Sequence, residues 1–161
     1  DFGYNSLTGS LPTEFGGLTR ATRLYTYENS MTGRIPTELG RLTSIVYIAI
    51  GKNCLTGTMP TQLGSLTLAT YFHIFDASVT GSLPTELGLL SAVTLMNLGY
   101  NSLVGSLPTE LGMITAMELL YAPGQPGDAS VVSLHEQGRR CNLPKVQLTR
   151  KGGVVTSLKY S

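Results

Sequence analysis

The chain has 161 residues, 42% hydrophobic and 13% charged, with a net charge of +1. This is enough apolar material for one continuous core and too little charge for a disordered chain. It also excludes the strongly basic face of a nucleic-acid binder, and the longest fully apolar run, Ile45 to Ile50, is far short of the roughly twenty residues that span a bilayer.

The charge is unevenly spread: residues 1–125 carry five Lys/Arg against eight Asp/Glu, and residues 126–161 carry six against two. Cys54 and Cys141 are too far apart for a small disulfide scaffold or a compact zinc site. No Asn-x-Ser/Thr sequon occurs, which disfavours a heavily glycosylated ectodomain. Asp1-Phe2-Gly3-Tyr4 already reads as the middle of a repeat rather than a signal peptide, so the first coil is expected to be truncated.

From Leu7 onward one phrase returns: LTGSLPTEFG, MTGRIPTELG from Met31, LTGTMPTQLG from Leu55, VTGSLPTELG from Val79 and LVGSLPTELG from Leu103. Its prolines, Pro12, Pro36, Pro60, Pro84 and Pro108, are 24 residues apart without insertion, the sign of a stacked solenoid. Upstream of each phrase a short stretch alternates apolar and variable residues, as in Leu24 and Thr26, Ile48 and Ile50, Phe72 and Ile74, Met96 and Leu98, which predicts a strand. Asn5, Asn29, Asn53 and Asn101 follow the strand and are expected to bond backbone groups as a ladder, broken at Ala77. Further rows beginning at Leu7, Leu11, Phe15 and Leu18 are expected to point inward. Thr13 and its repeats are placed to cap a helical turn, which Gly16 and its repeats would end.

About seven apolar side chains per coil contribute on the order of 10 to 20 kcal/mol, whereas ordering a coil costs roughly 1 to 2 kcal/mol per residue. A coil therefore has to stack. The array is predicted over 1–125 as five to six coils, ending where Gln125 replaces the asparagine and PGQPG interrupts the phase. Residues 126–161 read as an irregular basic segment. Within it KVQLTRKGGVVTSLKY, Lys145 to Tyr160, alternates on both sides of Gly152-Gly153 as a capping hairpin would, with a disordered basic tail as the rival reading.

LTSIVYIAIGKNCLTGTMPTQLGSL, Leu42 to Leu66, resembles the plant-type leucine-rich repeat, LxxLxxLxLxxNxLTGxIPxxLGxL. The resemblance covers about three quarters of the chain. It implies an α/β repeat fold, a solenoid with a concave parallel β-sheet and short 3-10 turns on the convex side. It further implies extracellular or cell-surface location and a receptor-like, signalling role, or one like the polygalacturonase inhibitors, with a protein or peptide held on the concave face.

Seven of the eight tyrosines fall on outward strand positions or immediately before the asparagine row. Tyrosine is favoured in strands for packing alone, and it is also the amphipathic, low-entropy residue of binding patches. The ligand-binding residues expected on this face are Tyr25, Tyr27, Tyr47, Lys52, Tyr71, His73, Phe75, Asp76, Tyr100 and Tyr121. Tyr25 and Tyr27 on one side, and His73 and Phe75 on the other, would stand roughly 9.6 Å apart over Ala49 and Gly51, a slot for one side chain or one sugar ring. Lys52, Glu28 and Asp76 would form its rim.

No catalytic set is expected, since no serine or cysteine is placed for His73 to activate; nor is any cofactor or metal. The row Thr8, Thr32, Thr56, Thr80 and the post-proline threonines leave a second possibility, a structural or surface-binding solenoid that meets ice or cell wall through convex threonine ladders. The primary expectation is a non-catalytic module that recognises a protein, peptide or glycan on its aromatic concave face.

Overall fold

The computed structural model describes residues 1–122, 146–151 and 154–160. The 24-residue period becomes a stack of coils. Each of the middle coils runs from a three-residue strand through a left-handed bend to a second short strand, then past proline into a 3-10 turn.

The first set of strands is β2 (Arg23–Tyr25), β4 (Tyr47–Ala49), β6 (Tyr71–His73), β8 (Leu95–Asn97) and β10 (Leu119–Tyr121). They pair in parallel with an unbroken register, Leu24↔Ile48↔Phe72↔Met96↔Leu120, so residues 24 apart in sequence become lateral neighbours. The second set is β1 (Thr8–Ser10), β3 (Ser30–Arg34), β5 (Cys54–Thr56), β7 (Thr80–Gly81) and β9 (Ser102–Leu103). It forms a smaller side sheet in two pieces, which the sequence pattern had not marked as strands. At the far end β11 (Val146–Lys151) and β12 (Val154–Tyr160) pair antiparallel, and β11 joins the main sheet beside β10 at Leu119↔Gln147. Gly152-Gly153, Gln125 and the rest of 123–145 lie outside the described residues.

The core is a column of the predicted rows. Ile48, Phe72 and Met96 are at most 1% exposed, and Leu39, Leu63, Leu87 and Leu42, Leu66, Leu90 are equally buried beneath the turns. In the first coil, however, Leu7 and Leu18 are 40% and 49% exposed, because a terminal coil is covered on one side only.

The asparagine row makes the expected ladder. Asn53 accepts from the Met31 N–H at 3.0 Å and donates to the carbonyls of Thr26, Ile50 and Gly51; Asn29 and Asn101 repeat the pattern toward Leu7 and Val79. At Ala77 the ladder is interrupted, because alanine has no side-chain oxygen to accept from the Leu55 N–H.

Two sequence expectations change in the turns. The 3-10 segments Thr13–Gly17, Thr37–Arg41, Thr61–Ser65, Thr85–Leu89 and Thr109–Met113 have proline, not threonine, at the N-cap, with no side-chain cap bond. The hydroxyls of Thr13, Thr37, Thr85 and Thr109 instead donate to the neighbouring glutamate carboxylates. Nor does the following glycine end the turn, since the C-cap is the leucine or isoleucine two residues later. The glycine is required by coil spacing: a Cβ on Gly40 would stand 2.4 Å from the Gln62 carbonyl oxygen of the next coil. By contrast Gly33, at φ +78, does occupy the bend that the sequence reserves for glycine.

Candidate functional site

Alternation along β2, β4, β6, β8 and β10 turns every second residue out of the core, and the constant register gathers these residues into rows. In the row of Arg23, Tyr47 and Tyr71, the two tyrosine rings stack with centroids 4.9 Å apart and 13° between planes. The Arg23 guanidinium lies 5.2 Å from the Tyr47 centroid on the same stack. The next row holds Tyr25, Ala49, His73 and Asn97. Tyr27 and Phe75 follow beyond it, Tyr25 meeting Tyr27 edge-on at 6.2 Å and His73 meeting Phe75 edge-on at 6.3 Å. Tyr4 closes on Tyr27 at 5.0 Å, bringing the first coil onto the same face.

Tyr25, Tyr47, Ile48, Ala49, Tyr71 and His73 line an open surface recess of about 150 Å³. The slot expected from the sequence is therefore shifted. Its Ala49 half is open, but its Gly51 half is filled: Gly51 is buried, and a Cβ there would meet the Phe75 carbonyl oxygen at 2.1 Å and the Phe75 ring at 2.9 Å. Tyr27 and Phe75 brace the walls from behind rather than forming them. Tyr47 and Tyr71 close one end, which the row spacing alone did not reveal because their stacking depends on rotamers.

The expected rim is present with one pairing. Lys52 Nζ donates to Glu28 Oε1 at 2.6 Å and lies 6.0 Å from the Phe75 ring. The bond to Glu28 raises the Lys52 pKa above the usual lysine value, outweighing the opposing effect of burial. Asp76 is exposed one coil further on and forms no salt bridge among the described residues. Glu28, Lys52 and Asp76, with Tyr4 and Tyr100, all have left-handed backbones with φ between 48° and 56°. The sequence did not flag this row, since none of its members is glycine. Tyr100 is 43% exposed at that turn and Tyr121 ends β10 half-buried; both share the face but lie outside the recess.

His73 lines the recess, and its Nε2 is buried without a hydrogen-bond partner. Burial lowers its pKa below the ordinary histidine value, favouring neutral imidazole. Without a carboxylate or hydroxyl on Nε2, this nitrogen is not part of an assembled nucleophile–base pair. Among the described residues there is no group of three or more His, Cys, Asp or Glu that could hold a metal ion, and no helix is long and apolar enough to cross a membrane. Cys54 is an exposed free thiol in β5, on the side sheet.

No family model and no curated protein sequence matches the chain. Solved structures do. The leucine-rich repeat ectodomain of the plant membrane receptor kinase GASSHO1/SCHENGEN3 from Arabidopsis thaliana, in complex with CASPARIAN STRIP INTEGRITY FACTOR 2, is 32% identical with a TM-score of 0.73, over 75% of this chain and 14% of that one. The plant peptide hormone receptor RGFR1, in complex with RGF2, is 32% identical with a TM-score of 0.74, over 78% of this chain and 20% of that one. A plant ice-binding protein is 25% identical with a TM-score of 0.66, over 69% of this chain and 36% of that one. The chain thus spans between about a seventh and a third of the length of these proteins. The fold is a leucine-rich repeat solenoid. Its repeat is of the plant type, and the chain resembles the ectodomains of plant receptors.

Proposed function

We propose that the chain is a non-catalytic recognition module that binds an extended peptide, or a peptide segment of a protein, along the outer, concave face of the main sheet. One observation carries the reading: an unbroken 24-residue register collects Tyr25, Tyr27, Tyr47, Tyr71, His73 and Phe75 onto one side of β2, β4 and β6 while the alternating residues fill the core. Tyrosine offers large contact area at low entropic cost and a polar tip, as recognition surfaces require. Support for a peptide rather than a glycan comes from the receptors of like fold, two of which are described in complex with such factors or hormones. The same likeness supports a location outside the cell.

The test is a selection from a random twelve-residue peptide display library, followed by affinity measurement on the parent, Tyr27→Ala, Tyr71→Ala and, on the turn side, Met113→Ala. Met113 is 71% exposed. The sheet variants are expected to bind the selected peptides at least tenfold more weakly at unchanged Tm, with Met113→Ala like the parent. Equal binding by all four proteins would refute the reading.

A second reading, surface binding through threonines, is favoured by the exposed row Thr32, Thr56 and Thr80, whose hydroxyls each donate to a glycine carbonyl one coil back at 3.3 to 3.4 Å. The ice-binding protein of like fold adds to it. Absence of both thermal hysteresis and recrystallisation inhibition would remove it.

A further inference from the structure

We propose that Tyr47 and Tyr71 form an oxidative modification site, at which hydrogen peroxide and a haem peroxidase join the two side chains as an intramolecular dityrosine that staples neighbouring coils. The proposal stands independently of the peptide-binding reading.

Placement comes first. Tyr47 and Tyr71 are register partners on parallel strands, so both rings leave the sheet from equivalent backbone positions about 4.8 Å apart. The rings are already in contact, with centroids 4.9 Å apart and 13° between planes. A phenoxyl radical couples through the ring carbons beside its oxygen, and two nearly parallel phenols on neighbouring strands need only small rotations about their side-chain bonds to bring such carbons together. The other close tyrosine pairs, Tyr4 with Tyr27 and Tyr25 with Tyr27, cross at 74° and 89°, one ring presenting its edge to the other.

The pair is also accessible and isolated. Tyr71 is 38% exposed and Tyr47 is half-buried, and among the described residues neither hydroxyl has a hydrogen-bond partner, so each is free to give its proton to water. On its far side Tyr47 meets the Arg23 guanidinium at 5.2 Å, and the next register partner of Tyr71 is Leu95. Neither neighbour couples with a phenoxyl radical. Each tyrosine therefore has the other as its coupling partner in the row, and a partner held in contact outcompetes one that must arrive from a second molecule.

The chemistry balances with hydrogen peroxide as the oxidant. The peroxidase removes one electron and one proton from each phenol, and the two radicals form one carbon–carbon bond. The hydrogen on each coupled carbon then moves to oxygen and restores the phenol. Two electrons and two protons have left the protein and reduced one peroxide to two waters. The bond closes a loop one coil long, the kind of constraint that a disulfide places on the unfolded chain.

The experiment treats the full chain, dilute enough to be monomeric, with hydrogen peroxide and a haem peroxidase. It reads dityrosine fluorescence, gel mobility and the masses of proteolytic peptides. The expected product migrates as a single chain, has lost two hydrogen atoms and contains the peptide of Tyr47 joined to that of Tyr71, with a yield per molecule that does not change on further dilution. Tyr47→Phe and Tyr71→Phe, which each keep a ring in the stack, should lose most of the fluorescence, whereas Tyr4→Phe and Tyr121→Phe should retain it. Full signal in Tyr47→Phe, dityrosine confined to covalent dimers, or none in the chain under conditions that couple free N-acetyl-tyrosine amide would each overturn the assignment.

Discussion

Ala77→Asn restores the missing rung of the asparagine ladder and is expected to stabilise the solenoid. Ala77 is 6% exposed, and the residue before it, Asp76, has φ 50, matching φ 48 at Lys52 before Asn53. An asparagine there finds the backbone geometry of its neighbours. By analogy with Asn53, its oxygen would accept from the Leu55 N–H and its amide would donate to the carbonyls of Ile50, Ile74 and Phe75. An amide has two hydrogens, so about three bonds form, each worth roughly 0.5 to 1.5 kcal/mol net. Ordering the new side chain offsets about 1 kcal/mol. The net gain is about 1 to 3 kcal/mol, which for a chain of this length raises Tm by about 5 °C and by no less than about 2 °C. Thermal unfolding followed by circular dichroism measures it, with Asn53→Ala as the converse, expected to lower Tm by at least as much. A Tm for Ala77→Asn equal to or below that of the parent would refute the reasoning.

Thr26 is 1% exposed in a row otherwise filled by Ile50, Ile74, Leu98 and Ala122, and its hydroxyl has no partner; Thr26→Val, of nearly the same shape, should raise Tm by about 2 to 4 °C because a buried unpaired hydroxyl costs about 1 kcal/mol or more. Stability should also depend on pH through His73, whose pKa is lowered by burial. The unfolded chain then takes up the proton first, so this contribution is complete above the ordinary value of 6.5 and is lost as pH falls below it, levelling once the folded imidazole is also protonated. Denaturant midpoints at pH 7.5 and 5.0 should differ more for the parent than for His73→Gln; identical pH dependence would show that burial of this imidazole is not felt. Finally, we propose that β11 and β12 cap the last coil by extending the sheet beyond β10. A chain truncated after residue 122 should melt several degrees lower and aggregate on heating, and an unchanged melting curve would assign the pair no capping role.

The stacking itself was legible in the sequence, because proline every 24 residues and apolar rows in phase with it have one economical solution, and burial of Leu39, Leu63 and Leu87 follows from that phase. The outward set was legible for the same reason: a period of two fixes the face of each strand residue before any coordinate is known. What the sequence misjudged were contacts between coils. Thr37 looks like a cap and Gly40 like a terminator when one turn is read alone, whereas the adjacent coil, pressing the Gln62 carbonyl against Gly40, decides the glycine's role. Composition likewise cannot report that Phe75 folds over Gly51, that Tyr47 and Tyr71 stack, or that His73 Nε2 is left without a partner, since each depends on rotamers chosen against neighbours a full coil away. The sequence by itself determined period, core and face, all properties of one repeat multiplied. Only the tertiary structure decided where on that face a cavity opens, because a cavity is what remains after unlike side chains from three adjacent coils have packed.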